Sequence, residues 1–125
     1  MVPDDLADDA IVVRGGRSSD SDRLLGQARD AFEQLGIVAL SVFVGLRDEA
    51  DSVAEVVALV AKEAPVPNTE LRTTTVGALR ACGFRLIKTG RPRHYSVDIG
   101  SLDVAAAERF IAAFDEPRRN PYEMA

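Results

Sequence analysis

Residues 37–44, Ile-Val-Ala-Leu-Ser-Val-Phe-Val, form an apolar run broken only by Ser41 and bracketed by Gly36 and Gly45. The run is short for a buried helix, and a strand with one wet face would alternate apolar and polar residues. A segment apolar at odd and even positions alike reads as a strand covered on both faces. It is expected to be central.

Helical periodicity flanks it on both sides. Leu24, Leu25, Ala28, Ala31, Phe32 and Leu35 recur at the spacing of one helix face. Ser18-Ser19-Asp20-Ser21-Asp22 just before them offers several N-caps. After the run, Val53, Val56, Val57, Val60, Ala61 and Ala64 mark a second helix that Pro65 and Pro67 stop. Residues 10–14 are a short β-branched run closed by Gly15-Gly16, a strand and a turn.

The second half is less regular. Residues 70–74 read as a short strand, and 76–82 as a short helix capped by Thr74 or Thr75. Strands 84–88 and 94–99 form an antiparallel hairpin around Thr89-Gly90-Arg91-Pro92. A last helix, capped by Ser101, turns Leu102, Ala106, Phe110, Ala113 and Phe114 inward.

The order β-α-β-α-β-α-β-β-α predicts a single α+β domain over residues 10–117, with a mixed sheet of about five strands. Two or three helices on one face of that sheet is the simplest packing, with any parallel crossover right-handed. Residues 1–9 are expected to be a flexible acidic arm and 118–125 a polar tail. Phe32, Leu40, Val42, Val57, Val60, Leu79, Val97, Phe110 and Phe114 are the expected shared core.

Composition excludes several classes. The chain has 125 residues, enough for one domain. No stretch approaches the ~20 apolar residues of a membrane span. Cys82 is the single cysteine, which removes internal disulfides and Cys-built metal sites. One histidine and scattered acids do not make a zinc site, and the glycine spacing fits neither a P-loop nor a dinucleotide fingerprint. No metal and no cofactor are expected. The acidic, polar start lacks the pattern of a signal peptide, so a cytoplasmic protein is expected.

Charge is unevenly placed. Lys and Arg number 15 against 20 Asp and Glu. Between Glu70 and Asp98 there is no acidic residue, while Arg72, Arg80, Arg85, Lys88, Arg91 and Arg93 all fall there. Such a segment can attract an anion while the rest of the surface repels it. Pairing of these cations with acidic groups of the helices is the structural alternative.

The chemistry-bearing residues cluster around it. Alternation along residues 94–99 puts Tyr95, Val97 and Ile99 on an apolar face and His94, Ser96 and Asp98 on a polar one. His94 suits proton transfer because its pKa lies near neutrality, with Arg91 and Arg93 beside it to hold an anion. Residues i and i+2 of a strand are ~6.5 Å apart, too far for a Ser-His-Asp triad within this strand. Arg14 ends a strand, where open α/β sheets place ligands, and a guanidinium there can clamp a phosphate or carboxylate. Thr74 and Thr75 precede a helix start whose amides and hydroxyls can take an anion or simply cap the helix.

His94-Tyr95-Ser96-Val97 resembles the His-hydrophobic-Ser/Thr-hydrophobic motif of the 2H phosphoesterases. The resemblance implies His94 as acid/base and Ser96 as phosphate-binding hydroxyl; the family's second histidine has no counterpart in this sequence. Val13-Arg14-Gly15 with Thr73-Thr74-Thr75 is similar to the first elements of some ADP-ribosyltransferases, although residues 71–107 contain no catalytic glutamate. Residues 12–16, 74–80, 94–96 and 120–121 together resemble a recurrent set of small bacterial, toxin-like domains, and the Ala-, Arg- and Val-rich composition looks actinobacterial.

Two functions are therefore expected as alternatives. One is a small bacterial toxin-like protein acting on RNA or another phosphate ester, with residues 72–93 as its basic anion-binding segment. The other is a non-catalytic module that binds a protein partner, as an antitoxin, immunity or assembly protein does. The first needs Arg14, the threonine turn and His94 in one concavity; the second lets them scatter and leaves apolar surface exposed.

Overall fold

The structure, a computed structural model, describes residues 2–3, 6–15, 21–64, 70–88, 93–115 and 118–119. Its strands are β1 (Val2–Pro3), β2 (Ile11–Gly15), β3 (Ala39–Gly45), β4 (Glu70–Thr75), β5 (Arg85–Lys88), β6 (His94–Asp98) and β7 (Arg118–Arg119). The helices are α1 (Ser21–Leu35), α2 (Val53–Glu63), α3 (Val76–Ala81) and α4 (Val104–Ala112), with a 3-10 turn at Arg47–Glu49. The order β-α-β-α-β-α-β-β-α is present, and two-residue strands extend it at each end.

The sheet runs β1-β5-β6-β3-β2-β4-β7, so β3 is its middle strand. The five longer strands and four helices make an α+β domain. Every described strand pair is antiparallel. This corrects the expected mixed pairing: a helix between two strands does not fix their direction. Gly15 at the end of β2 and Ala39 at the start of β3 lie at the same end of the sheet, because Val13 pairs with Phe43 and Ile11 with Gly45.

Helices cover both faces, not one. On the first, Leu24 and Ala28 of α1 and Ala106, Ala107 and Phe110 of α4 pack on Val12, Leu40, Val42, Leu86, Tyr95 and Val97. On the second, Val56, Val57, Val60 and Ala61 of α2 pack on Ile11, Val13 and Leu71. The expected core is thus divided, with Val57 and Val60 across the sheet from the others. The apolar run of β3 already demanded this, since a strand exposed on one side would not carry apolar residues at both parities. Gly45 lets α2 come close: a Cβ there would lie 2.6 Å from Val60 Cγ2 and 2.7 Å from Val56 Cγ1.

Phe32 departs from the expected core and is 49% exposed. At ~100° per residue it sits about 80° around α1 from Leu24, on the flank of the stripe whose centre holds Leu24, Ala28 and Ala31.

Caps follow side-chain chemistry. Ser52 accepts from the Glu55 amide, and Thr75 from the Ala78 amide. Asp103, not Ser101, caps α4, accepting the Ala106 N–H at 2.7 Å, while the Ser101 hydroxyl donates to the other Asp103 oxygen at 2.7 Å. A carboxylate is a stronger acceptor than a hydroxyl and also favours the positive helix end. The proposed caps at residues 18–20 and the turn at 89–92 lie outside the described residues.

The second half of the acidic arm is fastened to the domain. Asp8 carbonyl accepts the Gly77 N–H at 2.8 Å, Ala10 carbonyl accepts the Val76 N–H at 3.0 Å, and Asp8 pairs with Arg80 at 2.6 Å. At the other terminus, Arg118 and Arg119, expected in the tail, pair with Leu71 and Glu70.

Candidate functional site

Arg14 ends up inside the domain. Val13, Phe43 and His94 are successive register partners across β2, β3 and β6, so their side chains share the α2 face. Arg14, one residue on, turns to the α1–α4 face. Its guanidinium lies 5.6 Å from the centroid of the Phe110 ring. It donates to the Ser41 carbonyl at 2.6 Å and to Gln27 Oε1. Arg14 is 9% exposed, and burial pulls its pKa down to about 10.

The β2–β3 pairing stops at Val13 and Phe43. Beyond that point a cavity of about 390 Å³ opens, lined by Arg14, Gly15, Gln27, Ala31, Ser41 and Phe43 among others. Sequence reasoning placed Arg14 at a strand end but did not single out Gln27 or Ser41. The signal for Ser41 was its interruption of the apolar run; for Gln27, a polar residue on the flank of an apolar stripe.

His94 and Ser96 do share a face, as alternation requires, but that face is covered. They are 8% and 4% exposed. The His94 ring meets Phe43 edge-on, with centroids 5.6 Å apart. Asp98, third on the same face, is taken by Arg85 at 2.5 Å and by the Gly100 N–H at 2.9 Å.

Arg93 is held by acids. Its Nη1 and Nη2 donate to Glu49 at 2.9 and 2.6 Å, and its Nε donates to Glu63 at 2.9 Å. Glu49 is drawn below the usual carboxylate range by these bonds, and Arg93 is raised by them. Arg93 has φ 64°, the one left-handed non-glycine residue among those described. That conformation is held from both sides, by Arg93 carbonyl accepting the Val44 N–H at 2.9 Å and by Arg93 Nη1 donating back to the Val44 carbonyl at 3.1 Å.

The threonine turn is equally committed. Thr74 donates to the Ala113 carbonyl at 2.6 Å, and Thr75 caps α3. The first α3 amides go to Ala10, Asp8 and Thr75. Arg72 donates to the carbonyls of Phe114 and Asp115 beyond the end of α4. Lys88 lies 5.1 Å from the Tyr95 ring centroid. Each described cation of residues 72–93 therefore has an intramolecular partner; Arg91 lies outside the described residues.

Arg14 and His94 consequently do not meet. Phe43 touches both neighbourhoods, lining the Arg14 cavity and contacting the His94 ring. Among the described residues, no three His, Cys, Asp or Glu side chains gather as metal ligands would. No helix there is long and apolar enough to cross a membrane. No protein-family model, curated protein or solved structure matches this chain, so the site rests on its own geometry.

Proposed function

We propose that this chain is a non-catalytic protein-binding module of the antitoxin, immunity or assembly kind. The observation that carries the reading is the separation of Arg14 from His94 on opposite faces of one sheet. A phosphate-ester enzyme built on these residues would need an anion clamp and a proton-transfer group in one cleft. Here Arg93 is neutralised by Glu49 and Glu63, and His94 and Ser96 are buried.

Exposed apolar side chains add support. Phe32 on α1 and Leu102 and Val104 at the start of α4 are 49%, 39% and 46% exposed. The Ile99 N–H donates to the Val38 carbonyl, which joins the chain just after α1 to the chain just before α4. Aromatic side chains are enriched at protein interfaces, where Lys, Glu and Asp are depleted.

The test compares the wild-type chain with Phe32→Asp as bait in lysate of the native cell, alongside an RNA hydrolysis assay. A single protein retained by the wild type, lost by a normally folded Phe32→Asp, and no hydrolysis, is the expected result. RNA hydrolysis by the wild type that His94→Gln abolishes contradicts the reading.

A further inference from the structure

We propose that β1 is a placeholder on the outer edge of β5, and that this edge docks an extended acidic segment of a protein partner. The inference rests on the protein-binding reading and adds a strand edge to the exposed apolar side chains of α1 and α4. β1 is the last strand of the sheet on its side and covers β5 at Lys88 and Ile87, through Val2 and Pro3. β5 itself begins at Arg85, and among the described residues Arg85 and Leu86 have no register partner on that side. Pro3 has no N–H to donate to the ladder. A partner strand with its amides intact pairs along more of β5 than β1 does.

Residues 6–10 hold β1 to the domain as a strap. Leu6 is half-buried against the α1–α4 core, while Ala7, Asp8 and Asp9 are exposed. The Asp8 carbonyl accepts the Gly77 N–H at 2.8 Å, and a Cβ at Gly77 would come within 3.0 Å of Asp8 Cβ. The Asp8–Arg80 pair closes the strap from outside, with side chains 76% and 36% exposed. An exposed ion pair adds little stability, and a segment with few buried apolar contacts opens well below the global unfolding free energy.

Charge selects the occupant. Arg85 and Lys88 are both exposed on β5, whereas the strap segment bears Asp4, Asp5, Asp8 and Asp9. The same two cations would repel the β5 edge of a second copy, so the edge takes an acidic strand rather than its own like.

Hydrogen exchange of the full chain reads the strap. The Gly77 amide should exchange at least ~10²-fold faster than the β3 amides. Asp8→Asn should speed it by roughly 3-fold more and leave β3 unchanged. A Gly77 amide as slow as those of β3 would mean that the strap opens only with the whole fold, and would overturn the proposal.

Docking is read by NMR titration of the Asp8→Asn chain with a synthetic peptide of residues 1–10 carrying Pro3→Val, which keeps Asp8 for Arg80 and supplies the missing N–H. Saturable shifts confined to β5, Gly77 and Arg80 are expected, with a Kd on the order of 1 mM. Binding should be weaker in the wild-type chain, whose own strap competes. The same peptide with its aspartates changed to asparagine should bind at least ~5-fold more weakly. Capture of a partner from lysate is a separate readout, so failure here leaves the protein-binding reading standing. Shifts that never saturate, equal binding of the asparagine peptide, or dimerisation of the Asp8→Asn chain in place of peptide binding would each overturn the proposal.

Discussion

Arg93 and Glu49 are joined by two N–H donations, at 2.9 and 2.6 Å, although 44 residues separate them. The pair ties the β5–β6 hairpin to the 3-10 turn after β3, and Glu63 ties it to the end of α2.

This pairing sets an acid dependence. Glu49 is held below its ordinary value of 4.5, chiefly by the Arg93 hydrogen bond. The folded chain thus binds that proton more weakly than the unfolded chain. The resulting stability is fully present above the ordinary value and is lost as pH falls through the lowered one. Urea unfolding should show wild type more stable than Glu49→Gln near neutral pH, with the gap closing below pH 4.5. A gap independent of pH would contradict this.

Gly45→Ala is expected to destabilise, although alanine is the better residue for most backbone positions. The new methyl would sit 2.6 and 2.7 Å from the Val60 and Val56 methyl groups, both on fully buried side chains. Overpacking of this kind costs about 1–3 kcal/mol. Denaturant midpoints measure it, and a neutral result would mean α2 can slide away from β3.

Two phenylalanines should behave oppositely. Phe110 is fully buried, and Phe110→Ala should cost about 3–5 kcal/mol. Phe32 is half exposed, and Phe32→Ala should stay within about 0.5 kcal/mol. Equal losses in calorimetry would place Phe32 inside a core.

The elements were legible because local patterns define them. The continuous run of β3, the stripe of α2 and the alternation of β6 each need only a few neighbouring residues. Strand direction was not legible, because the length of chain from Gly15 to Ala39 permits either sense. The partners of Arg93 were not legible either: Glu49 and Glu63 carry no mark that separates them from other surface acids. Alternation correctly put His94 and Ser96 on one face, but whether that face is open depends on what packs over it. Arg14 was legible as a strand-terminal cation, while its cavity depends on where β2 and β3 part.

The proposed function turns on whether His94, buried against Phe43, serves the fold or a reaction. His94→Gln should be assayed for hydrolysis of RNA and cyclic phosphodiesters beside its unfolding free energy. The account predicts no hydrolysis by the wild type, and a stability loss of about 1–3 kcal/mol in the variant, as for other buried polar groups removed from their contacts. Hydrolysis by the wild type that falls by ~10²–10⁴ in a fully stable His94→Gln would contradict it.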